Sequence, residues 1–200
     1  MLIVGLTGNI GSGKSSVSRL FKDLGAAVLD TDQVARDVVV PGTEGLTKLV
    51  ELFGNSILNP DGSLNRLQTA EIVFGNQDKL KQLNGIVHPA IREVLTKVIA
   101  EYRAEPKEPL LIIEAPLLIE VGLYKMVDQV WLVTVDEQEQ IQRVMGRDQA
   151  TLEQVLQRIE AQMPQKDKIP YADIVIDNSG DLNSVEQQVS KIWSDLVGSP

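Results

Sequence analysis

The stretch Gly8-Asn9-Ile10-Gly11-Ser12-Gly13-Lys14-Ser15 constrains the fold of this chain more than any other. Leu2, Ile3, Val4 and Leu6 precede it as an apolar run too short for a helix, and Val17, Leu20, Phe21 and Leu24 follow it at helical spacing. The pattern predicts strand, glycine-rich loop, helix. Gly8, four residues, then Gly13-Lys14-Ser15 fits the Walker A phosphate-binding motif, and the strand and helix around it are the context that motif requires.

Each position has a physical reason. Gly8, Gly11 and Gly13 let the backbone N–H groups around Ser12 converge on phosphate oxygens with no Cβ in the way. The helix that opens at Gly13 adds its unpaired first amides and the positive end of its dipole. Lys14 is placed to bridge β- and γ-phosphates, and the Ser15 hydroxyl to ligate Mg²⁺ on the same phosphates.

Composition narrows what such a loop serves. Two hundred residues with 43% hydrophobic content support one compact core with a small lobe or lid. A formal net charge of −9 argues against nucleic acid as a partner, because phosphate backbones are gripped by basic patches. The chain has no cysteine, hence no thiolate nucleophile or disulfide framework, which suits a cytoplasmic protein. It shows neither a signal-peptide pattern nor an apolar run of membrane-spanning length, so no membrane partner is expected.

Further along, Gly25 reads as a helix stop, and Ala26 to Leu29 as a buried strand ending in Asp30-Thr31-Asp32. Ligands of open α/β sheets bind at the carboxyl ends of strands, so Asp30 and Asp32 stand where chemistry is done. Two readings stay open for them: ordering Mg²⁺ water or taking a proton, and capping the helix expected from Gln33 to Val39. Arg36, one turn beyond Asp32, shares its face. Pro41 to Tyr102 reads as mostly helical, too long for an ordinary crossover, with segments at Leu46–Phe53, Leu67–Phe74 and Lys79–Val87 and a turn at Asn59–Gly62. A separate helix is expected to open at His88-Pro89, with Pro89 at its first position. His88, the single histidine, is either a local capping group or a substrate contact.

Leu110 to Ile113 reads as a central strand leading into Glu114, at a position resembling Walker B, and then Pro116-Leu117-Leu118-Ile119-Glu120. Gln129–Val135 and Ala172–Asp177 read as the last two strands. Between them Arg143, Arg147 and Arg158 lie on two helices, the second opened by a Thr151/Gln154 capping box, and form either a cationic lid or a salt-bridged hairpin with Glu153 and Glu160. Asn183 and Glu186 are spaced as a capping box for the last helix.

Together, Leu6 to Ser15, Asp30-Thr31-Asp32 with Ala35-Arg36, Val73-Phe74, His88-Pro89, Pro116 to Glu120, Arg147-Asp148, and Ala172-Asp173 to Asn178-Ser179-Gly180 resemble the dephospho-CoA kinase family from Leu2 to about Val189. The resemblance implies an α/β, P-loop NTPase-type three-layer fold, with a mainly parallel five-stranded sheet, an inserted helical substrate lobe and a small helical lid. Its parts would be a core of about residues 1–40, 106–146 and 171–200, an acceptor lobe of about 41–105 and a lid of about 147–170. It implies phosphorylation of the ribose 3′-hydroxyl of dephospho-CoA, a small-molecule substrate, using ATP and Mg²⁺, by a cytoplasmic enzyme; the oligomeric state stays open, with a monomer favoured. By the same resemblance Gly11 to Ser16 would bind ATP, with Asn178 near the adenine, and Asp32 would be the base. Arg36, His88, Leu117 and Glu120 would line the acceptor pocket, and Arg147 would belong to the lid. The chain departs from the family pattern at Asn9, a position usually glycine, at Asn65, usually Asp, and at Val40, often Glu. Asn is the side chain that best tolerates a left-handed backbone after glycine, which accommodates Asn9.

A nucleoside or nucleotide kinase of the same fold would share most of these features. A GTP-dependent switch would not, because the Asn-Lys-x-Asp guanine motif is missing and Asp-x-x-Gly occurs only at Asp177–Gly180, too late in the chain.

Overall fold

The computed structural model describes residues 1–198, which divide into two compact units: Met1–Asp30 with the chain from Tyr102 onward, and Thr31–Glu101. The first unit begins with β1 (Leu2–Thr7), the glycine-rich loop, α1 (Lys14–Asp23) and β2 (Ala27–Asp30). Gly25, at φ 110°, ends α1 as the sequence indicates. The second unit holds α2 (Thr31–Asp37), α3 (Glu44–Phe53), a 3₁₀ turn at Asn55–Ile57, α4 (Arg66–Val73) and most of α5 (Gln77–Ala104). The chain then returns to the first unit with β3 (Leu110–Glu114), β4 (Gln129–Thr134), α6 (Glu137–Asp148), α7 (Leu152–Glu160), α8 (Gln165–Lys168), β5 (Ile174–Asp177) and α9 (Leu182–Val197).

The five strands form one sheet in the order β2-β3-β1-β4-β5, and every pairing is parallel. Continuous apolar runs such as Leu110–Ile113 suit this, because a parallel sheet is covered on both faces. Register aligns the carboxyl ends: Leu6 pairs with Glu114, and Glu114 with Asp30. One face is packed by Val17 and Phe21 of α1 and by Val185 and Val189 of α9, over Val4, Leu6, Ile112, Trp131, Val133 and Ile176. Phe21 and Trp131 touch with ring centroids 5.0 Å apart. Truncating either fully buried aromatic to Ala would cost on the order of 3–5 kcal/mol. A smaller cluster of Val144, Ala150 and Val155 with Ile141 and Ile159 closes α6 on α7 and takes in Ile10 of the loop.

The second unit has its own apolar centre, Val39, Leu49 and Ile57, with Phe53, Leu64, Leu83, Ile86 and Val87 packed around it. α5 corrects the expectation of a helix beginning at His88-Pro89: Pro89 lies inside one helix of 28 residues. The reason is phase. Leu83, Ile86 and Val87 before the proline and Ile91, Leu95, Ile99 and Tyr102 after it form one stripe with three- and four-residue steps. Pro89 removes the hydrogen bond to the Gly85 carbonyl and crowds it, a cost of about 3 kcal/mol, whereas each buried apolar side chain of the stripe returns roughly 1.5–3 kcal/mol. Gly85 offers no side chain to that crowded turn, and even a Cβ there would meet nothing within 4 Å.

Two smaller corrections concern helix starts. α2 begins at Thr31, so Asp32 lies in the first turn and does not cap a helix from Gln33. α9 is capped by Asp181, whose carboxylate accepts from the Ser184 amide, and the Asn183/Glu186 capping box does not form. The Thr151/Gln154 box of α7 forms with both reciprocal bonds. Among the described residues, no helix is long and apolar enough to cross a membrane.

Continuity of α5 gives a test: Pro89→Ala restores a donor to the Gly85 carbonyl and should raise unfolding free energy by about 1–3 kcal/mol in denaturant titrations. A loss of stability would mean that Pro89 starts a separate helix, where proline is favourable.

Candidate active site

The phosphate loop joins the centre strand β1 to α1. Gly13 caps α1 at φ 85°, and a side chain there would collide with the Asn178 amide as well as strain the backbone. Gly11, at φ 76°, faces Val144 and the Gln140 carbonyl of α6, with a Cβ position only 2.7 Å from the Val144 methyl. Ser16 and Val17 both donate their amides to the Gly13 carbonyl, at 3.0 and 3.2 Å. The amides before them are those that a helix start leaves without intrahelical acceptors.

Side chains brace this loop. Asn178, buried at the end of β5, donates its amide to the Ser12 carbonyl at 2.7 Å, and its own carbonyl accepts from Arg143 at 2.9 Å. Arg143 also pairs with Glu139 at 2.6 Å. Gln140 donates to the Ile10 carbonyl at 2.8 Å. Asn9 does not adopt the left-handed backbone that its side chain would tolerate; its Nδ2 donates instead to the Met163 carbonyl at 3.1 Å. The Ile10 amide donates to Gln162 Oε1 at 2.7 Å.

Two buried polar atoms of this loop, the Ser12 hydroxyl and Asn9 Oδ1, have no hydrogen-bond partner among the described residues. Leaving such groups unpaired costs about 1–3 kcal/mol each, so a ligand that bonds there is favoured. The Ser12 hydroxyl can donate to a phosphate oxygen, and the convergent amides at the start of α1 suit the same anion. On this observation the loop fits a nucleotide phosphate group.

Lys14 is buried in the first turn of α1 and donates to the Gly8 and Asn9 carbonyls at 2.9 and 3.4 Å. Beside it, Ser15 Oγ donates to Glu114 Oε1 at 2.7 Å, and Ser18 Oγ to Glu114 Oε2 at 2.6 Å. Glu114, at the end of β3, is thereby fixed against the α1 face that carries Ser15. Among the described residues no three His, Cys, Asp or Glu side chains gather into a metal cage. Mg²⁺ needs none: it commonly keeps its waters and takes one or two protein oxygens together with substrate phosphates. Ser15, with Glu114 behind it, could supply those oxygens.

The remaining candidates in this unit are spread around the loop. Leu117 is exposed in the turn after β3. Glu120 pairs with the fully buried Lys168 at 2.9 Å and accepts from the Met163 amide at 3.2 Å. Arg147, largely exposed at the end of α6, forks onto its neighbour Asp148 at 2.7 and 3.0 Å. Arg158 of α7 reaches the same carboxylate at 2.7 Å, so the hairpin is salt-bridged, through Asp148 in place of Glu153 or Glu160. The Arg147 hydrogen bond holds the Asp148 carboxyl below its usual range, with Arg158 adding to the effect.

In the second unit, Asp32 and Arg36 are exposed one turn apart on α2. His88 is half-buried inside α5, so it caps nothing. Burial pushes its imidazole below the ordinary range, and the positive charge of Arg92 adds to the shift.

Comparison with known proteins decides the lineage. A family model described as dephospho-CoA kinase (CoaE) matches residues 2–184. A dephospho-CoA kinase from Carboxydothermus hydrogenoformans is 41% identical over 198 residues, covering 96% of each chain. One from Geobacter sulfurreducens is 43% identical over 194 residues, covering 97% of this chain and 98% of the relative. The chain belongs to the dephospho-CoA kinase family. The solved dephospho-CoA kinase from Campylobacter jejuni matches in fold, with a TM-score of 0.75 at 26% identity over 98% of both chains. This family catalyses the last step of coenzyme A biosynthesis.

Three side chains whose contacts shape the surroundings of the loop show little of that role in the sequence alone. Glu114 shows there only as a weak acidic position, because its partners Ser15 and Ser18 are 99 and 96 residues away. Lys168 shows no signal, being one lysine in a polar run. The bracing role of Asn178 is hidden because Ser12 is 166 residues distant.

His88 supplies a stability test. Its folded pKa lies below the unfolded value of about 6.5, so the unfolded chain binds the proton more readily. The contribution is therefore fully present above pH 6.5 and lost as pH falls through the folded value. Thermal melts from pH 7.5 to 5 should show wild type losing more stability on acidification than His88→Gln; parallel profiles would exclude a shifted His88.

Proposed function

We propose that this kinase transfers the γ-phosphoryl group of ATP to the ribose 3′-hydroxyl of dephospho-CoA, with Asp32 as general base. The observation that carries the reading is the pairing of Glu114 with Ser15 directly after the Gly13-Lys14 turn. That carboxylate lies at the end of the strand beside β1, behind the hydroxyl that would meet Mg²⁺.

In this reading the loop from Gly8 to Ser16 cradles the phosphates, chiefly through amides that precede Ser16 and have no intrahelical acceptor, and Lys14 exchanges loop carbonyls for β- and γ-oxygens. Ser15 would ligate Mg²⁺, with Glu114 holding its hydroxyl in place. Bound there, Mg²⁺ would neutralise charge developing during transfer. Asp32 takes the proton of the 3′-hydroxyl as its oxygen bonds to phosphorus and ADP departs. What supports Asp32 is its place in the chain: it comes directly after the carboxyl end of β2, where Asp30 is in register with Glu114, and open α/β sheets bind ligands at the carboxyl ends of their strands.

The acceptor lobe comprises the inserted helices, with Arg36 and His88 as its acceptor contacts, and the core unit contributes Leu117 and Glu120 as further acceptor contacts. Arg147 belongs to a lid of about residues 147–170 and adds positive charge near the transferred group, and Asn178 lies near the adenine while bracing Ser12. The enzyme is cytoplasmic and monomeric, and its partners are small molecules.

Purified protein with ATP, Mg²⁺ and dephospho-CoA should yield CoA by mass detection. Turnover with a nucleoside monophosphate and none with dephospho-CoA would replace this reading with a nucleotide kinase of the same fold. Asp32→Asn should lower kcat on the order of 10²–10⁴-fold and leave ATP affinity nearly intact; unchanged turnover removes Asp32 from the role of base. Glu114→Gln should weaken the apparent Mg²⁺ affinity about 10–100-fold, read from rate against Mg²⁺ at fixed ATP, and an unchanged Mg²⁺ requirement would exclude Glu114 from supporting the ion.

A further inference from the structure

We infer that Lys168, through Glu120, is a positioning residue for nucleotide binding: the buried pair locks the turn that braces the first half of the phosphate loop. This rests on the reading that the loop holds the phosphates of ATP.

Lys168 ends α8 with its side chain fully buried. Its ammonium donates to Glu120 at 2.9 Å and to the Pro116 carbonyl at 3.1 Å. A buried ammonium is tolerated only where such partners hold it, so Lys168 dictates where Pro116 and Glu120 sit. Two paths then lead to the same place. The Pro116 carbonyl also accepts from Thr7 Oγ1 at 3.3 Å, and Thr7 is the last residue of β1, immediately before Gly8. Glu120 also accepts the Met163 amide at 3.2 Å. The Met163 carbonyl takes Asn9 Nδ2 at 3.1 Å, and Gln162 Oε1 takes the Ile10 amide at 2.7 Å. Lys168 is thus tied to the loop at Thr7, Asn9 and Ile10.

A merely structural pair would have no reason to converge on one loop, and replacing a buried pair by apolar groups is often neutral for stability. The resemblance to the family assigns Glu120 to the acceptor pocket. The geometry assigns it a second partner set, Lys168 and Met163, that acts on the donor side. The two assignments differ in which substrate loses affinity when Glu120 changes.

The experiment measures MgADP binding by calorimetry, with no acceptor present, alongside KM for ATP and for dephospho-CoA. The variants are Lys168→Met, Lys168→Arg, Glu120→Gln, the double Lys168→Met/Glu120→Gln, and Gln162→Ala, which removes only the bond to Ile10. Lys168→Met and Glu120→Gln should each weaken MgADP binding about tenfold or more, by analogy with the loss of groups that orient a ligand-bearing residue. Gln162→Ala should weaken it about 3–10-fold, the equivalent of one net hydrogen bond. Lys168→Arg should retain affinity within about threefold, and the double variant should be no weaker than Lys168→Met, as expected of residues acting as one unit. KM for dephospho-CoA should stay within about twofold of wild type for Lys168→Met, Lys168→Arg and Gln162→Ala; Glu120→Gln, which also removes a proposed acceptor contact, is read on MgADP binding with no acceptor present.

Wild-type affinity for MgADP in folded Lys168→Met overturns the inference, as does a Glu120→Gln effect confined to KM for dephospho-CoA. Should Lys168→Met fail to fold, Gln162→Ala decides: weakened MgADP binding supports the bracing path and unchanged binding overturns it. Absence of MgADP binding by wild type would instead overturn the reading of the loop itself.

Discussion

The Glu114 carboxylate sits almost out of water at the end of a strand whose other residues are all apolar. Such a charge is tolerated only when its oxygens are hydrogen-bonded. The Ser15 and Ser18 hydroxyls, one on each oxygen, provide those bonds from positions one turn apart on α1. They fix the rotation of α1 about its axis relative to β3. The direction in which Lys14 and the first amides of the helix point follows from that rotation. Phe21 and Val17 then meet the sheet where Trp131 and Val133 await them.

Around this fixed helix, the loop is held on several sides by side chains from later in the chain. Asn178 and Arg143 grip its second half, Gln140 its middle, and Asn9 and Ile10 reach across to the 162–163 turn. Preorganisation of this kind matters because catalysis by positioned dipoles depends on donors that need not reorganise during the reaction. The buried hydroxyl of Ser12, unpartnered among the described residues, is a donor that a ligand oxygen would satisfy.

Much of this was legible in one dimension. The loop motif is a matter of local covalent spacing, and short apolar strands and amphipathic helices announce themselves by period. Five strands, the Gly25 stop and the Thr151 capping box correspond to elements observed at those places. Pro89 misleads because local propensity favours a new helix there, while burial of a stripe in phase on both sides outweighs it. Asn183 misleads because Asp181, two residues earlier, is an equally good cap, and only the helix register chooses between them. Glu114, Lys168 and Asn178 were dim or silent because what makes them matter is a partner many residues away.

By itself the sequence determined that a phosphate loop lies between a strand and a helix, that an acidic Asp-x-Asp follows the second strand, and that the motifs together resemble one kinase family. Those properties depend on residue type and short spacing, which covalent geometry preserves. Tertiary structure alone decided that Glu114 holds Ser15, that Glu120 is engaged by Lys168 and Met163, that Arg147 and Arg158 share Asp148, and that α5 runs unbroken through Pro89. The physical reason is common to all four: free energy of burial and pairing in the folded chain selects among local options that are nearly equal in isolation.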